Sequence, residues 1–223
     1  MPEITQAHIE GQTARLNALL DRMLRLTGYF STLAGTLFWV WGRPLAQLLY
    51  HSPEAGFYLE ILAPAMPLMY LESMVDGAMK GIGEQKAAFR YSVWDAVLRI
   101  GGVALLLPRY GMRGFLAVIL LSSFYTCVAN TGRLLLSSGT GHAFRRWLGA
   151  PLLAAAAAGA AGRGVRRALA GFPAQELAGQ LAVLTAGGTV TAIVFLLAAL
   201  PLGLWEEVRA VLRQAKTGKN RGK

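Results

Sequence analysis

Residues 88–107 read AFRYSVWDAVLRIGGVALLL. A helix of about 20 mostly apolar residues crosses the roughly 30 Å hydrocarbon core of a bilayer. This segment has that length, yet it carries Asp95 and Arg99 inside it. If it enters the bilayer near Ala88, Asp95 lies about 10 Å deep and Arg99 about 16 Å deep. The chain around it decides whether the setting is a membrane. Its 223 residues are 54% apolar and only 15% charged, with a mean hydropathy of +0.43, whereas soluble domains carry about 25% charged residues. The apolar residues also fall in long blocks parted by short basic stretches, a pattern that a soluble core does not require.

Six blocks qualify as spans: Gly28 to Tyr50, Phe57 to Met79, Ala88 to Leu107, Gly114 to Leu136, Trp147 to Gly162, and Leu181 to Leu204. The fifth is short and alanine-rich, so a continuation past Arg163 toward Leu169 is expected, with its arginines reaching for the interface. Lys and Arg give the orientation. Fifteen lie in the N-terminal segment, the second and fourth connections and the tail, six lie in the alternate connections, and the twenty-second is Arg99 itself. That bias places both termini in the cytoplasm. The fold class is therefore all-α, a polytopic bundle of about six membrane helices. It divides into a cytoplasmic amphipathic helix (1–27), a four-span core (28–136), a terminal two-span hairpin (137–204) and a basic cytoplasmic tail (205–223).

Within 4–26, Leu16, Leu19, Leu20, Met23 and Leu24 share one helix face while Arg15, Asp21, Arg22 and Arg25 lie elsewhere. Such a helix lies on the inner leaflet or leads straight into the first span. Pro64 and Pro67 each remove a backbone donor from the second span, which is expected to kink and turn free carbonyls toward a partner or cavity. Gly77, Gly81, Gly101, Gly102, Gly187 and Gly188 are expected to mark close helix approaches.

The net charge of +10 comes from basic residues scattered through connections and tail, with no aromatic-interleaved basic face, so anionic lipid headgroups are the expected partner and nucleic acid is not. Cys127 is alone and is expected to be a buried, reduced thiol; no Cys and His cluster has metal-ligand spacing. Ser122, Ser123, His142 and Cys127 lack the context of a nucleophile, and GIGEQK (81–86) lacks the order of a phosphate-binding loop, so neither an enzyme nor a cofactor is expected.

The charges inside the spans are the candidate site. Glu60 sits near a span end. Glu72, Asp76 and Lys80 follow at four-residue intervals along one helix face, an arrangement that suits an interfacial ladder as well as a site. Asp95 and Arg99 have the same spacing, and two readings stay open for them. They form a self-neutralising pair within one helix, or Arg99 faces a polar cavity where its guanidinium holds a phosphate or carboxylate.

These residues also carry a resemblance. The loop DGAMKGIGEQ (76–85), the helix WDAVLR (94–99), the turn LLPRYGMRGF (106–115) and the end NTGRLL (130–135) resemble the C-terminal half of the stage V sporulation protein B branch of lipid-linked oligosaccharide and polysaccharide flippases. That branch lies in the multidrug/oligosaccharidyl-lipid/polysaccharide transporter superfamily. The N-terminal helix, PLAQLLYHSPEAGFYLEILAP (44–64) and the tail LWEEVRAVLRQ (204–214) fit the same pattern. The resemblance implies a partial C-terminal lobe, whose first-lobe counterpart comes from a separate chain or a second copy. It implies a flippase component for lipid-linked oligosaccharide, polysaccharide or peptidoglycan precursors in a bacterial cytoplasmic membrane. A multidrug cation antiporter and a truncated, non-transporting interaction module are the alternatives. Substrate or cavity candidates are Arg99, Asp95, Asp76 and Glu72, and the expected partners are membrane lipids and a lipid-linked saccharide.

Overall fold

The computed structural model describes residues 2–138, 145–169, 177–205 and 209. Most of the expected basic tail (205–223) and most of the connections at 137–146 and 170–176 lie outside these residues. Among the described residues there are eight α-helices: α1 (Pro2–Ile9), α2 (Thr13–Tyr50), α3 (Pro53–Leu62), α4 (Met66–Gly81), α5 (Gln85–Tyr110), α6 (Met112–Ser138), α7 (Ala150–Leu169) and α8 (Leu177–Ala199). No strand occurs among the described residues.

The amphipathic stretch expected over 4–26 is not one helix. Gly11, at φ +66°, takes a left-handed turn that parts α1 from α2. From Thr13 the helix leads straight into the first expected span and runs 38 residues, about 57 Å at 1.5 Å per residue. Its leucine face meets protein rather than lipid: Leu16, Leu20 and Leu24 are buried in a core with Ile4, Leu71, Val75, Met79, Cys127 and Trp147. Cys127 is free and buried, as expected.

Helix α2 is the axis of the bundle. On one side it packs against α3 and α4, and on the other against the α7–α8 hairpin; α6 lies on α4, and α5 lies on α6 at the margin. Five polar or stacking contacts fasten the hairpin. Trp147 Nε1 donates to Asp21 Oδ1 at 2.7 Å, Tyr29 Oη to the Leu202 carbonyl at 2.8 Å, Trp41 Nε1 to Thr191 Oγ1 at 3.0 Å and Arg166 Nη1 to the Val40 carbonyl at 2.8 Å. Arg163 stacks 3.6 Å over the Trp39 ring. Arg163 and Arg166 of α7 thus turn inward onto α2, while Arg167 is exposed.

Among the described residues four helical segments are long and apolar enough to cross a membrane: Gln85–Tyr110, Met112–Ser137, Trp147–Leu169 and Ala178–Leu204. The fifth expected span therefore does continue to Leu169. The first two expected spans differ, each for a physical reason. The first lies within α2, where Gly28, Ser31, Thr32, Gly35 and Thr36 are buried against neighbouring helices; an enclosed helix needs small residues more than apolar ones. The second is interrupted. A 3₁₀ turn at Ala63–Ala65 separates α3 from α4 and leaves pieces of 10 and 16 residues, because Pro64 and Pro67 cannot continue the hydrogen-bond ladder. The Ala63 carbonyl, which accepts from the Met66 N–H in the 3₁₀ turn, faces Gly35 of α2, where a Cβ would stand 2.8 Å from it. A cavity of about 270 Å³ lies beside the break, lined by Thr32, Trp39, Pro64, Pro67 and Leu152 among others.

Large apolar side chains remain exposed along the outer helices, including Phe89, Trp94, Ile100, Leu105, Leu121, Phe124, Leu153 and Leu197. Water does not tolerate an apolar surface that extensive. With the four long apolar helices, it makes this a multi-pass membrane protein.

Candidate functional site

The site is built on α5 and α6. Asp95 and Arg99 are one turn apart on α5, and their side chains meet on the edge facing α6, with Arg99 Nη2 3.1 Å from Asp95 Oδ2. They are not closed on themselves. Arg99 donates from Nε at 3.2 Å and from Nη2 at 3.0 Å to Ser122 Oγ on α6, and the Ser122 hydroxyl donates in turn to Asp95 Oδ1. Thr126, one turn further along α6, stands with its hydroxyl 3.0 Å from the same Asp95 oxygen and 2.9 Å from the Ser122 carbonyl, sharing one proton between them. Asp95 thus receives an ion pair and two hydroxyl contacts, as a carboxylate away from water requires.

Arg99 is treated differently. Its side chain is 44% exposed against 14% for Asp95. Its Nη1 makes no hydrogen bond among the described residues, so one edge of the guanidinium is anchored and the other open. A fixed guanidinium with an open edge can take a carboxylate or phosphate oxygen.

Glu72 of α4 is half-buried and lies within electrostatic reach of Asp95, Arg99 and Asp76. It has no hydrogen-bond partner among the described residues. Asp76 is one turn away and pairs with Lys80 at 2.6 Å. The structure therefore brings Glu72, Asp95 and Arg99 together and sets Asp76 on the approach to them. Glu60 is part of a separate pair with Arg43 at 2.6 Å. Among the described residues no group of His, Cys, Asp and Glu is arranged to hold a metal ion.

Ser122 and Thr126 are the residues that sequence reasoning missed. Their signal is a polar stripe through an apolar span: Ser122, Ser123, Thr126, Asn130 and Thr131 are all buried on α6. Hydroxyls in a membrane helix commonly bond their own backbone, so the stripe does not by itself name a partner. Ser123 Oγ and Asn130 Oδ1 have no hydrogen-bond partner among the described residues, which leaves unused polar capacity beside the pair.

The turn between α4 and α5 is pinned to the far end of α6. Arg133 Nη2 lies 3.0 Å from both carboxylate oxygens of Glu84. Both side chains are partly exposed, so the pair is expected to add no more than about 1 kcal/mol of coupling. A double-mutant cycle with Glu84→Ala and Arg133→Ala, read by thermal unfolding in detergent, checks this; a coupling well above that would mean the turn is far more enclosed than it is here.

Comparison with known proteins agrees with this architecture. Residues 2–105 match the MatE family model. Sporulation protein YkvU of Bacillus subtilis (strain 168) is 26% identical over 138 residues, which cover 62% of this chain and 29% of that protein. The chain thus spans under a third of the relative it matches. No solved structure matches. The chain resembles membrane transporters of the multidrug/oligosaccharidyl-lipid/polysaccharide superfamily.

Proposed function

We propose that this chain is one component of a flippase that moves lipid-linked oligosaccharide, polysaccharide or peptidoglycan precursors across a bacterial cytoplasmic membrane. The observation that carries the proposal is the open edge of Arg99, a guanidinium well inside a membrane helix, anchored by Asp95 and Ser122 on one side only. An arginine at the centre of a membrane helix costs about 2.5–3.5 kcal/mol to insert on biological scales. Two anchors offset part of that cost, and the open edge suits a phosphate passing through low dielectric. The remaining lobe would come from another chain or a second copy, since alternating access rocks two units about a central site. Both termini are read as cytoplasmic, from the distribution of basic residues.

The test is flipping of a fluorescent lipid-linked pyrophosphate sugar in proteoliposomes that hold the complete assembly. Arg99→Ala is expected to lower the rate at least about tenfold, the loss of roughly one charge-assisted contact, and Arg99→Lys to restore part of it. Unchanged flipping in Arg99→Ala would make the residue purely structural and remove this proposal.

A second reading, antiport of organic cations, has its own supporting observation. Glu72, Asp76 and Asp95 outnumber Lys80 and Arg99 at the site, and Glu72 has no hydrogen-bond partner among the described residues. Under that reading Glu72→Gln abolishes cation-driven uptake while Arg99→Ala leaves it largely intact.

A further inference from the structure

Helices α4 and α5 leave the turn at Ile82–Glu84 side by side, yet α5 leans on α6 and touches α4 only sparsely. Between them opens a cavity of about 410 Å³, lined by Asp76, Lys80, Gln85, Phe89 and Ser92. Four of these five side chains are polar or charged. The next turn inward is charged on both walls: Glu72 precedes Asp76 by four residues on α4, and Asp95 and Arg99 follow Ser92 on α5. The cavity itself, a wedge between the two helices, takes in Lys80, Asp76, Gln85 and Ser92, and Glu72 on α4 and the Asp95–Arg99 pair at the α5–α6 edge lie about one turn beyond it along the two helices.

Lipid chains cannot fill such a wedge cheaply, because each charge facing hydrocarbon costs several kcal/mol. A second helix could cover it, but the lining charges are already matched to one another, Lys80 to Asp76 and Arg99 to Asp95. What remains to be satisfied is the outer capacity of each group, and water supplies it. We propose that the α4–α5 wedge is a water-filled vestibule, open at its Lys80–Gln85 end, which admits small hydrophilic solutes as far as Asp95 and Arg99. Its volume falls within the range of small-molecule sites. On the opposite face of α5 the exposed side chains Val97 and Leu105 are apolar. The vestibule does not depend on which substrate is carried.

Single-cysteine labelling tests it in intact vesicles, starting from Cys127→Ser; the buried native thiol serves as the unreactive control if that variant folds poorly. A charged methanethiosulfonate reagent reacts with a hydrated thiolate and not with a thiol in hydrocarbon. Ser92→Cys and Gln85→Cys are expected to label at least about tenfold faster than Val97→Cys and Leu105→Cys. Labelling should come from one side of the membrane only, the side of Lys80. Equal rates at Ser92→Cys and Val97→Cys would overturn the proposal, as would equal labelling from both sides. Should Ser92→Cys stay unreactive while Arg99→Ala still abolishes flipping, the vestibule is lost and the flippase reading stands. Should Ser92→Cys label while flipping ignores Arg99→Ala, the reverse holds.

Discussion

Replacing Asp95 by alanine is expected to destabilise the detergent-solubilised protein more than replacing Arg99, and more than replacing both. The asymmetry follows from chemistry. Arginine cannot shed its proton in a protein, so Asp95→Ala leaves a permanent charge whose remaining anchor is the Ser122 hydroxyl. In Arg99→Ala the carboxyl keeps Ser122 and Thr126 and can take up a proton instead. The single loss of Asp95 is expected to cost about 2–3 kcal/mol, discounted for the exposed edge of Arg99. At this chain length that is a fall of about 5–10 °C in Tm. The double variant Asp95→Ala/Arg99→Ala is expected to recover at least half of it. Thermal unfolding of the four proteins decides the matter. A double variant less stable than Asp95→Ala would show that Arg99 contributes packing that outweighs its charge.

The second large effect lies at the other end of the bundle. A Cβ added to Gly28 would stand 2.1 Å from the Trp147 carbonyl oxygen and 3.5 Å from Pro151. The oxygen belongs to the backbone, so no rotamer change relieves the clash; the hairpin must move off α2, taking the Trp147–Asp21 bond with it. Gly28→Ala is expected to cost about 3 kcal/mol or more, read as a fall in Tm. Gly187 gives a second instance, since its Cβ would lie 2.0 Å from the Trp41 ring, and that ring is buried and held by Thr191. Gly188 is the control: nothing lies within 4 Å of its Cβ position, so Gly188→Ala should be neutral or gain up to about 1 kcal/mol from helix propensity. Equal melting of Gly28→Ala and Gly188→Ala would mean that α7 does not dock here.

The glycines show how far sequence reasoning reaches. Of those expected to mark close approaches, Gly187, Gly102 and Gly81 do, against Trp41, Val118 and Ile4, while Gly101 and Gly188 face open space. Two adjacent glycines look alike in a sequence, yet successive residues on a helix point about 100° apart. Only one of each pair can face the neighbour. Gly28 and Gly35, whose added Cβ would stand 2.1 and 2.8 Å from backbone oxygens, carry no such mark because they sit singly in a polar-flecked segment.

The sequence by itself determined that this is an all-helical membrane protein, that the backbone is perturbed at Pro64 and Pro67, and that Asp95 and Arg99 stand one turn apart on one helix. Each of those follows from properties local to one segment: apolar length, a missing backbone donor, a four-residue spacing. Tertiary structure decided that α2 is the buried axis, that the leucines of its first half face protein rather than lipid, and that the Asp95–Arg99 pair is shared with Ser122 and Thr126. Those depend on which helix faces lie against each other, and hydroxyls or small residues on a span face carry no mark of their neighbour until the helices are packed.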